Sequence, residues 1–377
     1  MSHGAGRLSK ALDHQYAAAL SVCSGALVAL VWSALSSTNY RRVITTSWWP
    51  GRQLNTHSVI LNGAMTIFFA AVGLELSREL RSNLRHHLRA SLSPLLGALG
   101  GMAGTASLSL LIGAIVNSSA LRRGWGIPMA TDIAFTLGVL ALAGHRIPPA
   151  LRVFLLTLAI ADDVLSVVVL SITGVAHVRG LGLIAIVGVT AIGVQLGRRV
   201  SPRVAFPLIL VVLWLAFAWA GIETALSGVV AGLVIPVTST RARQLEVLAT
   251  RYSVAVALPL FALVACGVTW TSLTWSSANI KVISGTIVVR LLGKLLGIGA
   301  GVYVATKLGA PRHASLTPRI LTGATLLCAI GFTVPLLFAG ALFDNAGATY
   351  GSFTLGLLGA SLLGALGGVV ILRQATK

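Results

Sequence analysis

Charged side chains are scarce in this sequence. Only 10% of its 377 residues are Asp, Glu, Lys or Arg, whereas 56% are hydrophobic. Soluble domains carry about a quarter of their residues as charges, so this chain has too few polar groups to cover a water-exposed surface. Cysteine is also rare: Cys23, Cys266 and Cys328 all lie in apolar runs, without paired or metal-ligand spacing. We therefore expect neither a disulfide framework nor a structural zinc site.

Long apolar runs fill most of the chain. A bilayer core about 30 Å thick is crossed by roughly 20 apolar residues in a helix. The pattern predicts an all-α polytopic membrane protein with about twelve transmembrane helices. Spans seven and eight are short and nearly fused, which leaves eleven or thirteen helices open. The predicted spans are 16–36, 58–77, 92–116, 124–143, 150–172, 181–197, 204–220, 222–237, 253–272, 282–304, 321–342 and 352–372.

The 28 basic residues outnumber the 9 acidic ones, which gives a formal net charge of +19. Cytoplasmic loops accumulate Lys and Arg, and most of the basic residues fall in inner segments if both termini are cytoplasmic. The charge forms no stripe that would fit nucleic acid, so we expect anionic lipid headgroups as its partner. The expected organisation is a cytoplasmic segment at 1–15, a single transmembrane domain at 16–372 and a cytoplasmic tail at 373–377, in the cell membrane.

A few ionisable residues lie near the middle of predicted spans. They are Asp132 in span four, Asp162 and Asp163 in span five, and Arg290 and Lys294 in span ten. Each costs at least a few kcal/mol at this depth unless it is paired or hydrated. Adjacent helical residues point about 100° apart, so one aspartate can face the lysine while the other faces a watery cavity. Two carboxylates this close titrate as a unit. Such a site holds protons or a hard monovalent cation, but hardly both, and this competition is the basis of an exchanger.

Two spans are interrupted near their centres. GWGIPMATDIAFTLG (124–138) places glycines and a proline ahead of its aspartate, and CAIGFTVPLL (328–337) contains Gly331, Thr333 and another proline. Irregular backbone at membrane depth is tolerated only against protein or a water-lined cavity. Interrupted helices in corresponding places of two halves indicate a transporter site built from inverted repeats.

The ends of such half-helices carry partial charges that need partners. We expect Asp132 to offset the partial positive charge at the N-terminal ends and Lys294 the partial negative charge at the C-terminal ends. Arg290, one helical turn from Lys294, is expected to snorkel or to pair rather than to take part in transport.

The motifs together resemble the NhaA-type sodium/proton antiporters. They are VGLELSREL (72–80), ATDIAF (130–135), LAIADD (158–163), GKLLGI (293–298) and CAIGFT (328–333), and the match extends from about residue 16 to 372. The resemblance implies twelve helices, in which helices 3–5 and 10–12 are inverted repeats and helices 4 and 11 cross. These repeats correspond to about 92–172 and 282–372.

The resemblance also assigns roles to residues. It implies that Asp163 is the main sodium and proton carboxylate, with Asp162 beside it, and that Asp162 pairs with Lys294. Thr131 and Asp132 would lie in the unwound part of helix four, with Thr131 as a further Na⁺ ligand. The implied activity exchanges intracellular Na⁺ or Li⁺ for extracellular H⁺ by alternating access, without cofactor or enzymatic chemistry. If two protons return for each Na⁺, the exchange is electrogenic.

Some positions depart from the family pattern. Glu223, in the run GIETA, stands where the family often has a histidine, and Val247 replaces a histidine beside Glu246. Glu75, Glu79, Glu246 and Glu223 are candidate pH-sensing residues on the cytoplasmic side, and solvated helix ends are an equally good interpretation.

Other functions stay open at this point. A sodium-coupled symporter of an organic solute is the main alternative, although spans four, five and ten are mostly aliphatic. An intramembrane aspartyl protease needs carboxylates that face each other from separate helices, and a passive cation channel would be obstructed by the lysine. The loop with Trp48 and Trp49 is a candidate homodimer interface or part of an interfacial aromatic belt.

Overall fold

The structure, a computed structural model, describes residues 20–47, 56–82, 84–144, 147–172, 179–222, 224–267, 276–311, 315–343 and 347–375. Sixteen α-helices and one π-helical turn form these ranges. In chain order they are α1 (Leu20–Leu35), α2 (Ser37–Thr45), α3 (Thr56–Ser82), α4 (Leu84–Ile115), α5 (Ser119–Arg123), α6 (Ile133–Leu142), α7 (Pro149–Ile172), α8 (Gly180–Arg199), α9 (Pro202–Ala220), α10 (Leu226–Val234), α11 (Thr240–Tyr252), the π-turn (Ser253–Ala257), α12 (Leu258–Ala265), α13 (Ser277–Lys307), α14 (Pro318–Leu327), α15 (Thr333–Leu342) and α16 (Ala348–Ala375).

The helical membrane architecture is confirmed. Seven helices of the described ranges are by themselves long and apolar enough to cross a membrane, counting α11 to α12 as one continuous helix. The pair α1 and α2 is bent by 120° and makes an eighth candidate. The other predicted spans coincide with α7, with the short helices α6 and α10 and with the helix pair α14/α15, and α5 ends just before predicted span four. The count of twelve crossings stays a prediction.

Both predicted interruptions are present as breaks in the helices. Around span four the chain stops being helical after Arg123, one residue before the predicted start of the span, and is helical again from Ile133. Span eleven stops being helical after Leu327 and resumes at Thr333. Each broken pair lies in sequence between two long helices, α4 and α7 in the first half and α13 and α16 in the second. The order of a long helix, a broken pair and a second long helix is thus the same in both halves, which fits the predicted repeats. Their inverted relationship stays a prediction.

Spans seven and eight are separate helices. α9 ends at Ala220, and Gly221 follows with a φ of 74°, the left-handed conformation that commonly closes a helix. The next helix, α10, begins only at Leu226 and is nine residues long. The sequence could not separate the two because apolar residues continue through the turn.

One expectation about a loop was wrong. The predicted spans leave Glu246 in the loop between spans eight and nine, but it lies on α11 and is only 7% exposed. The helix begins here because the Ser239 hydroxyl accepts a hydrogen bond from the Ala242 amide at 3.2 Å, which caps its first turn. The chain then continues through the π-turn into α12, so span nine starts about four turns earlier than predicted.

Glycines let α4 and α13 pack with their backbones in contact. Gly293, Gly297 and Gly301 recur at every fourth residue of α13, on one face. A Cβ atom added to Gly297 would lie 2.2 Å from the carbonyl oxygen of Gly100 on α4. Small residues at this spacing drive close helix association in membranes. The contact fixes the position of α13, which carries Arg290 and Lys294.

We expect Gly297→Ala to destabilise the protein. Its methyl group has no room beside the Gly100 carbonyl, so α4 and α13 must separate, and overpacking of this kind typically costs about 1–3 kcal/mol. The matched control is Gly299→Ala on the same helix, where an added Cβ would meet nothing within 4 Å. Thermal unfolding in detergent should show a lower midpoint for Gly297→Ala alone. Equal midpoints for the two variants would contradict the packing argument.

Candidate functional site

The two unwound segments meet at the end of α14. A helix leaves its last carbonyl groups without partners inside the helix, and at membrane depth they need other donors. Here four consecutive carbonyl oxygens receive hydrogen bonds from the first unwound segment, α6 and α13. Leu327 accepts from the Thr136 hydroxyl (3.3 Å), Cys328 from the Thr131 hydroxyl (3.0 Å), Ala329 from Arg290 Nε (2.6 Å) and Ile330 from the Asp132 amide (2.9 Å).

Asp162 and Lys294 form a buried ion pair. The Lys294 ammonium donates to Oδ2 of Asp162, and neither side chain is exposed. The Thr131 hydroxyl lies 2.8 Å from the same oxygen and can donate its proton there or to the Cys328 carbonyl. The pair expected from the resemblance is therefore present, and it connects α7 with α13 and the first unwound segment.

Each of the tandem aspartates has a carboxylate oxygen without a hydrogen-bond partner among the described residues. These atoms are Oδ1 of Asp162 and Oδ1 of Asp163, and both residues are buried. An ionised carboxylate in a dehydrated interior is costly unless a proton, a cation or water satisfies it. Oxygen ligands are also what hard cations prefer. The geometry thus leaves two carboxylate oxygens available to a proton or a hard cation, the ligands that an exchanger carries.

A serine on the same helix was missed by the sequence analysis. Ser166 is fully buried, and its Oγ also lacks a hydrogen-bond partner in the described part of the chain. It follows Asp162 by four residues and Asp163 by three, so it lies on the same face of α7. This spacing was the signal that could have found it, but a single serine in an apolar run is not distinctive.

Asp132 lies at the start of α6. Its Oδ1 accepts a hydrogen bond from the Phe135 amide at 3.4 Å, and the residue is 2% exposed. A carboxylate in this position offsets the partial positive charge at a helix N-terminus. Asp132 therefore contacts the first turn of α6, and its role in the ion site stays a prediction.

The basic side chain that binds a backbone carbonyl at the C-terminal end of α14 is Arg290 and not Lys294. Arg290 is fully buried, so it does not snorkel. Its Nε donates to the Ala329 carbonyl, and its Nη2 donates to the Ala130 carbonyl of the first unwound segment. The physical reason is that a guanidinium has several donors in a planar fork, whereas the lysine ammonium is taken up by Asp162. The signal in the sequence was the one-turn spacing of two basic residues within an apolar span.

The remaining predicted residues are placed as follows. Gly331 lies in the second unwound segment, where its amide donates to the Ser361 hydroxyl at 3.2 Å. Thr333 is the first residue of α15, and its side chain lies outside the described part. Glu223, Trp48 and Trp49 lie outside the described residues, as does the side chain of Glu79 on α3.

Two of the candidate pH-sensing residues, Glu75 and Glu246, belong to a mixed network of acids and arginines. Arg78 lies 3.1 Å from Glu246 and 4.0 Å from Glu75, and Arg152 lies 3.3 Å from Glu75. The network joins α3, α11 and α7, the helix of the tandem aspartates. The contacts of Arg78 with Glu246 and of Arg152 with Glu75 were missed because these partners are distant in sequence; Arg78 and Glu75 lie three residues apart on the same helix.

Comparison with known proteins gives the family. The family described as "Na+/H+ antiporter 1" matches residues 9–372. The Na(+)/H(+) antiporter NhaA 2 of Novosphingobium aromaticivorans is 38% identical over 344 residues, covering 88% of this chain and 86% of that protein. The Na(+)/H(+) antiporter NhaA of Tolumonas auensis is 34% identical over 337 residues, covering 86% and 83%.

A solved structure supports the fold. The sodium proton antiporter MjNhaP1 from Methanocaldococcus jannaschii superposes with a TM-score of 0.52 at 16% identity and covers 95% of this chain and 97% of that chain. At this identity the likeness concerns the architecture alone. The match to nearly the whole sequence, with relatives of similar length, shows that the chain belongs to the Na⁺/H⁺ antiporter 1 family.

Proposed function

We propose that the protein extrudes Na⁺ or Li⁺ from the cell in exchange for external H⁺, by alternating access around Asp162 and Asp163. The observation that carries this proposal is the pair of buried carboxylate oxygens without hydrogen-bond partners in the described structure, next to a buried ammonium group. Family membership supports the exchange itself, and neither the family match nor the relatives support the symporter alternative. The transported ions are the only ligands required, without a cofactor.

The exchange follows from competition for the same oxygens. Na⁺ entering from the cytoplasm is bound by Asp163, with Asp162 and Thr131 as further ligands, and it displaces protons. Protons entering from outside protonate Asp163 and either Asp162 or Lys294. Only the loaded forms reorient, because an uncompensated carboxylate is costly in a closed, dehydrated intermediate. One substrate therefore leaves before the other is carried back.

Charge balance at the site bears on the stoichiometry. Asp132, Asp162 and Asp163 face two buried cations, Lys294 and Arg290, so the fully ionised site has one excess negative charge. One Na⁺ neutralises it. The return of two protons requires a second titrating group besides Asp163, and the Asp162–Lys294 pair supplies that group. The exchange is then electrogenic and is driven by the membrane potential.

The network of Glu75, Arg78, Arg152 and Glu246 is the candidate for pH sensing, together with Glu79 and Glu223. Arg152 lies on α7 ten residues before Asp162, a rise of about 15 Å. A change in protonation of the glutamates would alter the ion pairs that connect α3, α11 and α7, and would thereby change the position of the tandem aspartates. Both termini are cytoplasmic in this proposal, the basic inner loops bind anionic lipids, and the loop with Trp48 and Trp49 is the candidate dimer contact.

Reconstitution tests the exchange and its electrogenicity together. Liposomes with an imposed pH gradient and a proton-sensitive dye should lose the gradient when Na⁺ or Li⁺ is added. A K⁺ gradient with valinomycin then sets the membrane potential, and a potential that favours entry of the protons should accelerate Na⁺ efflux. A rate independent of the potential would contradict two-for-one exchange. No response to any alkali cation from neutral to alkaline pH would contradict the exchange.

A further inference from the structure

Arg290 is a buried charge that enters the exchange mechanism above only through the charge balance of the site. It lies on α13 four residues before Lys294, on the same face of the helix, and none of its surface is exposed. Its guanidinium donates hydrogen bonds to backbone carbonyls of different segments, Ala130 in the first interruption and Ala329 in the second. A single side chain therefore connects both unwound segments to the helix that carries the lysine of the ion pair.

We propose that Arg290 is a positioning residue for the exchange, which holds the two unwound segments together and sets the charge of the ion site. The proposal rests on the ion site assigned to Asp162 and Asp163. The first part follows from geometry, because loss of the guanidinium leaves two carbonyl groups at membrane depth without this donor. The second part follows from charge, because without Arg290 the excess negative charge of the ionised site doubles.

Arginine suits this task better than lysine does. Its planar fork presents donors in fixed directions, so it can bind two carbonyl oxygens at once, and it stays charged at physiological pH. Lysine keeps the charge but is a compact point donor. Glutamine keeps two amide hydrogens but has no charge. The two substitutions therefore separate the geometric effect from the electrostatic one.

Gly331 leaves the space that the guanidinium of Arg290 occupies. A Cβ atom on Gly331 would lie 1.8 Å from Nη2 of Arg290 and 2.7 Å from the Ala130 carbonyl oxygen. No other residue leaves room for the guanidinium between the two segments. The glycine of the second interruption is thus required by the arginine of α13 as well as by the unwound backbone.

The test compares Arg290→Gln, Arg290→Lys and the control Lys281→Gln, which removes an exposed charge from the same helix. Na⁺/H⁺ exchange is measured in liposomes as a function of pH. For Arg290→Gln we expect the pH of half-maximal exchange to rise by about one unit, because protons are harder to displace from a more negative site. For Arg290→Lys we expect an unchanged pH of half-maximal exchange and a maximal rate about tenfold lower.

A wild-type rate and pH dependence in both variants would overturn the proposal. An equal shift of the pH of half-maximal exchange in both variants would also overturn it, because the effect of the charge would then not differ from the effect of the guanidinium geometry. If Arg290→Gln does not fold, Gly331→Ala is measured in the wild-type and Arg290→Lys backgrounds. It should lower the rate more in the wild type, and equal effects would refute the match between the two residues. If Asp163→Asn loses exchange, the assignment of the ion site stands, whatever the Arg290 variants show.

Discussion

Asp163→Asn is expected to reduce Na⁺/H⁺ exchange by about a hundredfold while the protein stays folded. A cation without its counter-charge near the bilayer centre costs about 2.5–3.5 kcal/mol, which corresponds to roughly two factors of ten. Asparagine has nearly the same shape and cannot release a proton. Exchange is measured with reconstituted protein and a proton-sensitive dye, at equal amounts of folded protein.

The stability of this variant separates a transport role from a structural one. Asp163 is buried, and its Oδ1 has no hydrogen-bond partner among the described residues. Removing an uncompensated charge from such a site should leave the unfolding midpoint equal or higher, since the charge is costly to bury. The control is Asp344→Asn, at an aspartate that the sequence places outside the spans. Normal exchange by Asp163→Asn would show that the ion site is assigned to the wrong residue.

The membrane architecture and the two interruptions could be predicted because they depend on local signals. Long apolar runs identify membrane helices, and Pro128 and Gly331 break them at defined places. For the helices and their breaks, composition and position along the chain leave little freedom. The pairing of Asp162 with Lys294 was implied by the family resemblance, whereas the residues alone left open which of the two aspartates faces the lysine.

The partners of backbone groups could not be predicted. Which donor binds the carbonyls at the end of α14 depends on the angle at which α13 crosses the break between α14 and α15. Sequence spacing does not determine this angle. We expected Lys294 there, and Arg290 occupies the place. Glu246 was misplaced for a related reason: a polar helix such as α11 resembles a loop when only hydropathy is considered, although Ser239 caps it.

The second large effect is expected at the Asp162–Lys294 pair. Lys294→Gln leaves the Asp162 carboxylate without its ammonium partner, and Asp162→Asn leaves a bare ammonium in the interior. Removing one partner of a buried ion pair typically costs about 3–5 kcal/mol, because an uncompensated charge stays buried. The double variant Asp162→Asn/Lys294→Gln removes both charges, so its unfolding midpoint should return most of the way to that of the wild type.

The same double variant tests where the second proton is carried. It keeps Asp163 but has lost the pair that supplies the other titrating group, so any exchange that remains should move one proton for each Na⁺. Its rate in liposomes should then be independent of the membrane potential, whereas the control Lys281→Gln should retain the dependence of the wild type. A double variant that exchanges at a potential-dependent rate would place the second proton elsewhere, and one as unstable as the sum of the single variants would show that the contact is not an ion pair.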